Sequence, residues 1–209
     1  MYNDITGIIL SGGRSKRMGV NKAMLKIGDK TLIERTSNLI SAIFKKVLLI
    51  TNTPDEYSFL GLETFEDIYK NVGPLAGIHS GLINSITKKN FIIACDMPFI
   101  TKELIEFIVN YKTDKSIKIP KAEGVTQQLC GMFSESVLNE IEKMISGSVS
   151  DNNENNSKKN IGFKVQHLFQ MVDTEIIDVE NKFVRYEKGM FMNINNEDDF
   201  EEAIKRIKG

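Results

Sequence analysis

Thr6-Gly7-Ile8-Ile9-Leu10-Ser11-Gly12-Gly13-Arg14-Ser15-Lys16-Arg17-Met18-Gly19 joins an apolar run to a loop rich in glycine and cations. A short apolar run stopped by glycine reads as a buried strand, so Thr6 to Leu10 is the expected first strand. Lys22 to Ile27 is expected as a second short strand ending in a Gly28-Asp29 turn. Thr31 can cap a helix whose apolar residues Leu32, Leu39, Ile40 and Ile43 recur at helical spacing. Val47 to Thr51 is another buried-strand run, and Gly73-Pro74 opens a helix with proline at a permitted first-turn position. Phe91 to Cys95 is the next strand, and Thr101 can cap a helix through Leu104, Ile105 and Ile108. Strand and helix alternate three times. That order predicts an α/β fold, a mostly parallel Rossmann-like sheet with helices on both faces.

The second half is less regular. Ile117 to Pro120 and Gln128 to Phe133 are expected strands, and Ser134 to Ile145 is an expected helix. Ser146 to Asn160 holds one apolar residue, Val149. Such a stretch buries too little surface to offset its ordering entropy, so a mobile loop within the domain is expected at 146–160. A closing helix begins near Asn196, with Phe200, Ala203, Ile204 and Ile207 on one face. With 209 residues, the chain is expected to form a single domain over residues 1–209.

The opening loop carries the strongest chemical signal. Gly12 and Gly13 let backbone approach a ligand closely, and exposed N–H groups in such a loop attract anions. Arg14, Lys16, Arg17 and Lys22 add four cations within nine positions. A triphosphate needs that combination: backbone donors for geometry, and cations to neutralise charge moving onto a pyrophosphate leaving group. Arginine suits bidentate phosphate contact, and lysine acts as a point charge. Taken alone, the loop is equally compatible with a tight turn under a solvated basic face. Neither the Walker pattern nor the GxGxxG dinucleotide fingerprint is present.

Asp96 follows the run Phe91 to Cys95. A carboxylate at the carboxyl end of a parallel strand stands where open α/β sheets bind ligands. Mg²⁺ favours one or two carboxylates plus substrate phosphates, which makes Asp96 the candidate metal ligand. The competing reading is a turn or capping aspartate. Glu66-Asp67 precedes Gly73-Pro74-Leu75-Ala76-Gly77-Ile78-His79-Ser80-Gly81. Gly77 and Gly81 share one helix face, where either a ligand or the sheet could come close. His79 receives no catalytic role.

Composition limits the alternatives. The residues are 41% hydrophobic and 26% charged, with a formal net charge of -1. A near-neutral chain offers no general field for nucleic acid or an anionic membrane. Cys95 and Cys130 lack paired metal-ligand spacing and read as small buried hydrophobes in a reducing compartment. No apolar stretch approaches a membrane span, and no basic segment precedes a signal-like core, so a cytoplasmic location is expected.

Four segments in order carry a family resemblance: Leu10-Ser11-Gly12-Gly13 with Ser15, Arg17-Met18-Gly19 and Lys22; Glu66-Asp67 before Gly73-Pro74-Leu75-Ala76-Gly77; Cys95-Asp96-Met97-Pro98; and Asn193-Ile194-Asn195 before an acidic helix. The chain resembles the MobA-type molybdenum cofactor guanylyltransferases from near residue 6 to its end. The first loop marks the wider nucleotidyltransferase superfamily; the GPLAG and CDMP elements narrow it. The resemblance implies Mg²⁺-dependent transfer of GMP from GTP to the phosphate of molybdopterin, with release of pyrophosphate. It places GTP on Leu10, Ser11, Gly12, Gly13 and Lys22, base or ribose contacts on Asn52 and Asp67, and both nucleotide and Mg²⁺ on Asp96. Lys22, Arg17 and Asp96 become the catalytic set, and Asn193 and Asn195 face the pterin. GTP and molybdopterin are the implied partners, with room for a protein that delivers or accepts the cofactor.

Ser11 departs from the family's usual alanine. The 146–160 stretch offers only Lys158 and Lys159 where the family often carries arginines, so the acceptor is less constrained than the donor. The competing functions are cytidylyl transfer to molybdopterin, nucleotidyl transfer to a sugar phosphate, and nucleotide binding without catalysis. The presence of both Lys22 and Asp96 argues against the last.

Overall fold

The computed structural model describes residues 1–12, 21–150 and 164–208. Among them, eight strands form one sheet. The first four are β1 (Tyr2–Leu10), β4 (Phe44–Ile50), β5 (Glu63–Phe65) and β6 (Lys89–Ala94). The others are β7 (Ile117–Ala122), β8 (Val125–Thr126), β9 (Cys130–Ser134) and β10 (Thr174–Asp178). The order is β10-β7-β9-β6-β1-β4-β5, with β8 paired to β7 as a short hairpin. β5, β4, β1 and β6 pair in parallel, as do β7 and β10. β9 pairs antiparallel with both β6 and β7, so one reversed strand joins two parallel groups. A small antiparallel ribbon, β2 (Lys26–Ile27) with β3 (Lys30–Thr31), lies apart from the sheet.

Helices cover both faces, as the strand–helix alternation predicted. The side chains of β1 divide between the faces because successive residues of a strand point in opposite directions. Ile5 and Ile9 join a core with α1 (Leu32–Ile43) and α3 (Lys102–Asn110). Ile8 and Leu10 join the opposite core with α2 (Pro74–Asn84), α4 (Leu138–Ser150) and α5 (Val165–Met171). A short helix, α6 (Val179–Lys182), and a terminal helix, α7 (Glu197–Lys208), complete the chain. α7 packs Ala203 and Phe200 with Ile27, Leu32, Ile194 and Phe99.

The expected caps form. Thr31 and Glu34 make a reciprocal capping box at the start of α1, and the Thr101 side chain accepts from Leu104 N at the start of α3. Gly81 is explained by packing: a Cβ there would lie 2.6 Å from Ile8 Cγ2, so the glycine lets α2 sit directly on β1.

Four local expectations are corrected. Lys22 to Ile27 is not one strand. The Asn21 side chain accepts from Ala23 N and folds Lys22–Met24 into a 3-10 turn, leaving only Lys26–Ile27 extended. The helix expected over Ser134 to Ile145 begins as a 3-10 turn at Glu135–Val137 and continues as α4 to Ser150. Residues 146–150 of the expected loop are therefore helical; Ser146 and Gly147 are exposed, and a helix's outer face needs no apolar residues. Residues 151–160 lie outside the described residues. The strand expected from Gln128 starts at Cys130. Among the described residues no helix is long and apolar enough to cross a membrane.

Candidate functional site at the carboxyl edge of the sheet

Strand register gathers the candidate residues. Leu10 stands level with Ile50 on one side and Ala94 on the other, and Ile50 is level with Phe65. The next residues of these strands, Ser11, Thr51, Cys95 and Glu66, therefore emerge along one edge. Backbone bonds continue the sheet slightly further: Ser11 N to Ile50 O at 2.9 Å, Cys95 N to Leu10 O at 3.2 Å and Thr51 N to Phe65 O at 2.9 Å. The chain crosses from β1 to β4 in one direction, and β6 lies on the other side of β1. Such a reversal opens the crevice in which doubly wound sheets hold ligands.

Asn52 and Asp67 meet there. Asn52 Nδ2 donates to Asp67 Oδ2 at 2.6 Å, and Asp67 N donates to Asn52 Oδ1 at 3.2 Å. Lys70 Nζ adds a bond to Asn52 Oδ1 at 2.7 Å and pairs with Glu66 at 2.6 Å. These contacts hold the Asn52 amide in one orientation. Gly77 keeps α2 close to the pair: a Cβ there would lie 3.3 Å from Leu10 Cδ2 and 3.7 Å from Asp67 Oδ1.

Asp96 is half-buried as a residue, yet its Oδ1 is shut from solvent and has no hydrogen-bond partner among the described residues. Burial pushes its carboxyl above the usual carboxylate range; its own backbone amide and the Lys22 charge oppose that rise. An unpartnered buried carboxylate oxygen costs free energy unless a cation or donor arrives. Among the described residues no cluster of three or more His, Cys, Asp or Glu side chains could enclose a metal. One carboxylate with an open oxygen suits Mg²⁺, which commonly takes its remaining ligands from substrate phosphates and water.

Lys22 is joined to this centre through the C-terminal segment. Its Nζ donates to Asn195 Oδ1 at 3.3 Å, and Ile194 N donates to the Asp96 carbonyl at 3.0 Å. Asn195 is itself held by Asp199, whose Oδ2 accepts from Asn195 N at 2.6 Å. Asn193 Nδ2 is turned to its own chain, donating to Phe191 O at 3.2 Å. The structure thus brings Leu10, Ser11, Gly12, Lys22, Asn52, Asp67 and Asp96 to one edge. Gly13 and Arg17, with Arg14 and Lys16, lie outside the described residues.

The expected burial of both cysteines is observed. Cys95 and Cys130 are buried and free, and burial raises both thiols, Cys95 to about 12. His79 is a core residue only 1% exposed, 3.4 Å from Glu142 Oε1 and packed edge-on against Tyr69.

Two residues at the edge escaped the sequence reading. Tyr57 lies in the 3-10 segment Pro54–Leu60, and its hydroxyl accepts from Ser11 Oγ at 2.9 Å and from Asn21 Nδ2 at 2.8 Å. Asn21 Nδ2 also donates to Glu56 Oε2 at 2.7 Å. No periodicity marks Tyr57. Asn21 carried one usable signal, a capping residue type directly before Lys22.

Known proteins resemble the chain over most of its length. Residues 7–155 match the MobA-like NTP transferase domain. A protein from Clostridium perfringens (strain 13 / Type A), named "Probable molybdenum cofactor guanylyltransferase", is 38% identical over 201 residues, 95% of each chain. A protein of the same name from Carboxydothermus hydrogenoformans is 31% identical, covering 97% of this chain and 96% of its own. The crystal structure of molybdopterin-guanine dinucleotide biosynthesis protein A from Archaeoglobus fulgidus superposes with a TM-score of 0.78 at 25% identity, covering 97% of this chain and 98% of that one. The reversal beside β1 and the carboxylate at the end of β6 lie at the edge where open α/β sheets hold ligands, and the chain belongs to the MobA-like NTP transferase family.

Proposed function

We propose that this protein transfers GMP from GTP to the terminal phosphate of molybdopterin, forming the guanine dinucleotide form of the cofactor and releasing pyrophosphate. The observation that carries the reading is the pairing of Asp96, with its open buried oxygen, and Lys22 through Ile194 and Asn195. This couples a phosphate-directed cation to a metal-ready carboxylate. The relatives named for guanylyl transfer support the choice of donor and acceptor.

In this mechanism the backbone at Gly12 and the cations Lys22 and Arg17 hold the triphosphate. Asn52 and Asp67 take the base and ribose. An oxygen of the molybdopterin phosphate attacks the α-phosphorus of GTP. The new P–O bond forms as the bond from the α-phosphorus to the bridging oxygen of the β-phosphate breaks, and pyrophosphate leaves with the electron pair. Lys22 offsets the charge that develops on the departing group. Asp96 would hold Mg²⁺, which when bound neutralises charge on the phosphates. The attacking phosphate oxygen is already ionised, so no protein base is required. Asn193 and Asn195 line the pterin side. We place the reaction in the cytoplasm, in keeping with two buried free thiols.

Pyrophosphate release, measured with each of the four ribonucleoside triphosphates with and without molybdopterin, tests the reading. Release with GTP only when molybdopterin is present is the expected result. Release with CTP overturns the donor, and release driven by a sugar phosphate overturns the acceptor.

A further inference from the structure

Tyr57 lies outside every role assigned above, yet it touches both described ends of the basic loop. Ser11 stands just before that loop and Asn21 just after it, and both side chains donate to the Tyr57 hydroxyl. Tyr57 is 3% exposed and Ser11 4% exposed, so the contact at the loop's entry is dry. Cys95 Sγ lies behind Ser11 Oγ at 3.7 Å, extending the chain of contacts to the residue beside Asp96.

The Asn21 end leads directly to Lys22. Asn21 Oδ1 accepts from Ala23 N at 3.1 Å, and Asn21 O accepts from Met24 N at 3.0 Å. The same amide therefore caps the turn carrying Lys22 and grips Tyr57 and Glu56. Tyr57 itself is fixed in a 3-10 segment that follows Asn52 by a few residues and ends at Gly61 in the left-handed conformation, φ 63°. One phenol oxygen thus sets the separation of the two loop ends and ties them to the segment that begins at the base-side asparagine.

We infer that Tyr57 is a positioning residue for the triphosphate: its hydroxyl pins Ser11 and Asn21 so that Gly12 and Lys22, beside the two described ends of the loop, are held in place together. The inference rests on the nucleotidyl-transfer reading for its effect on turnover. It rests on geometry alone for its effect on the loop ends. Holding donors in place before the ligand arrives lowers the ordering cost of binding, so loss of the pin falls on nucleotide affinity before it falls on chemistry.

Tyr57→Phe keeps the ring and removes only the hydroxyl. With full-length protein, KM for GTP should rise about tenfold, the loss expected when the buried Ser11 hydroxyl is left without its acceptor, while KM for molybdopterin stays unchanged. A merely structural role would lower the active fraction, and so kcat, and leave KM for GTP alone; that outcome overturns the proposal. Amide hydrogen exchange without nucleotide supplies the second readout. The Ala23 amide should exchange faster in Tyr57→Phe, and unchanged exchange also overturns the proposal. Asn21→Ala should reproduce the KM shift, and the double variant should be no worse than the more impaired single one; additive losses would show that the two residues act separately. If wild-type protein does not use GTP, the guanylyl reading fails, and exchange at Ala23 alone then decides the role of Tyr57.

Discussion

Asp96 and Glu123 follow β6 and β7, which run in the same direction on either side of β9 to the same edge of the sheet, and their surroundings are opposite. Glu123 begins the turn between β7 and β8. Its carboxylate accepts from Gly189 N at 2.7 Å and from the Tyr186 hydroxyl at 2.7 Å. These two donors, with smaller help from Lys188 and Arg206, hold its carboxyl below the usual range. Asp96 has a buried oxygen that nothing described satisfies, and burial holds its carboxyl above the usual range. One carboxylate fastens a hairpin to the segment before α7. The other is kept at an energetic cost that a bound cation would relieve. Position at the carboxyl edge is shared; what separates the two carboxylates is whether their oxygens are satisfied.

The largest expected effect comes from making Asp96 resemble a neutral structural residue. Asp96→Asn should lower transfer about 1000-fold, the scale of losing a principal electrostatic contributor at the reacting phosphate. Steady-state pyrophosphate release checks this, and turnover near wild type would remove Asp96 from the mechanism. Stability should move the other way. The folded carboxyl lies above its ordinary value of 3.8, so wild-type protein loses stability as pH rises from there through the folded value. Without divalent cations, the melting-temperature advantage of Asp96→Asn should be absent below that window, grow across it and level off above it.

Lys22→Ala comes next. Removing the cation that bridges to Asn195 should reduce kcat/KM for the nucleotide about 100-fold, measured at saturating acceptor. It also separates the two carboxylates' surroundings, because Lys22 opposes the upward shift of Asp96 and is not among the charges that act on Glu123. The variant should therefore steepen the pH dependence of stability attributed to Asp96 and leave that of Glu123 in place. Equal changes in both would mean that a common field, rather than local contacts, governs the edge.

The contrast between the two carboxylates parallels what the sequence made legible. Phe91 to Cys95 and Val47 to Thr51 read as strands because parallel strands buried on both faces become continuous apolar runs. Asp96 followed from its place after such a run. β5 and β10 lie at the two ends of the sheet, with mixed burial and no such run, and neither was anticipated. Thr31 and Thr101 announced their helices because a capping side chain acts within a turn of its own position. Tyr57 gave no sign, since its role depends on Ser11 and Asn21, which are 46 and 36 residues away. Asn52 and Asp67, 15 residues apart, were named through the family resemblance, and pairing of β4 with β5 brings them together. The environment of Glu123 was likewise hidden: its donors lie 63 and 66 residues further along.

The smallest effect sharpens the Glu123 side. Glu123→Gln keeps an acceptor oxygen but removes the charge that strengthens both of its hydrogen bonds. The carboxylate is exposed, so screening trims the loss, and the melting temperature should fall only about 2–4 °C near neutral pH. A group with a lowered folded pKa adds stability above its ordinary value, here 4.5, and loses it as pH falls through the folded value. The difference between wild type and Glu123→Gln should therefore hold at pH 7, shrink below about 4.5 and vanish in stronger acid, as read by thermal unfolding across that range. This is the reverse of the Asp96→Asn profile, whose difference is absent in acid and present near neutrality with the variant the more stable protein. Two variants at one edge of one sheet that shift stability in opposite directions would establish that hydrogen-bond satisfaction separates the carboxylate that builds from the carboxylate that waits for a cation. Matching directions would remove that distinction and return Asp96 to the status of a turn residue.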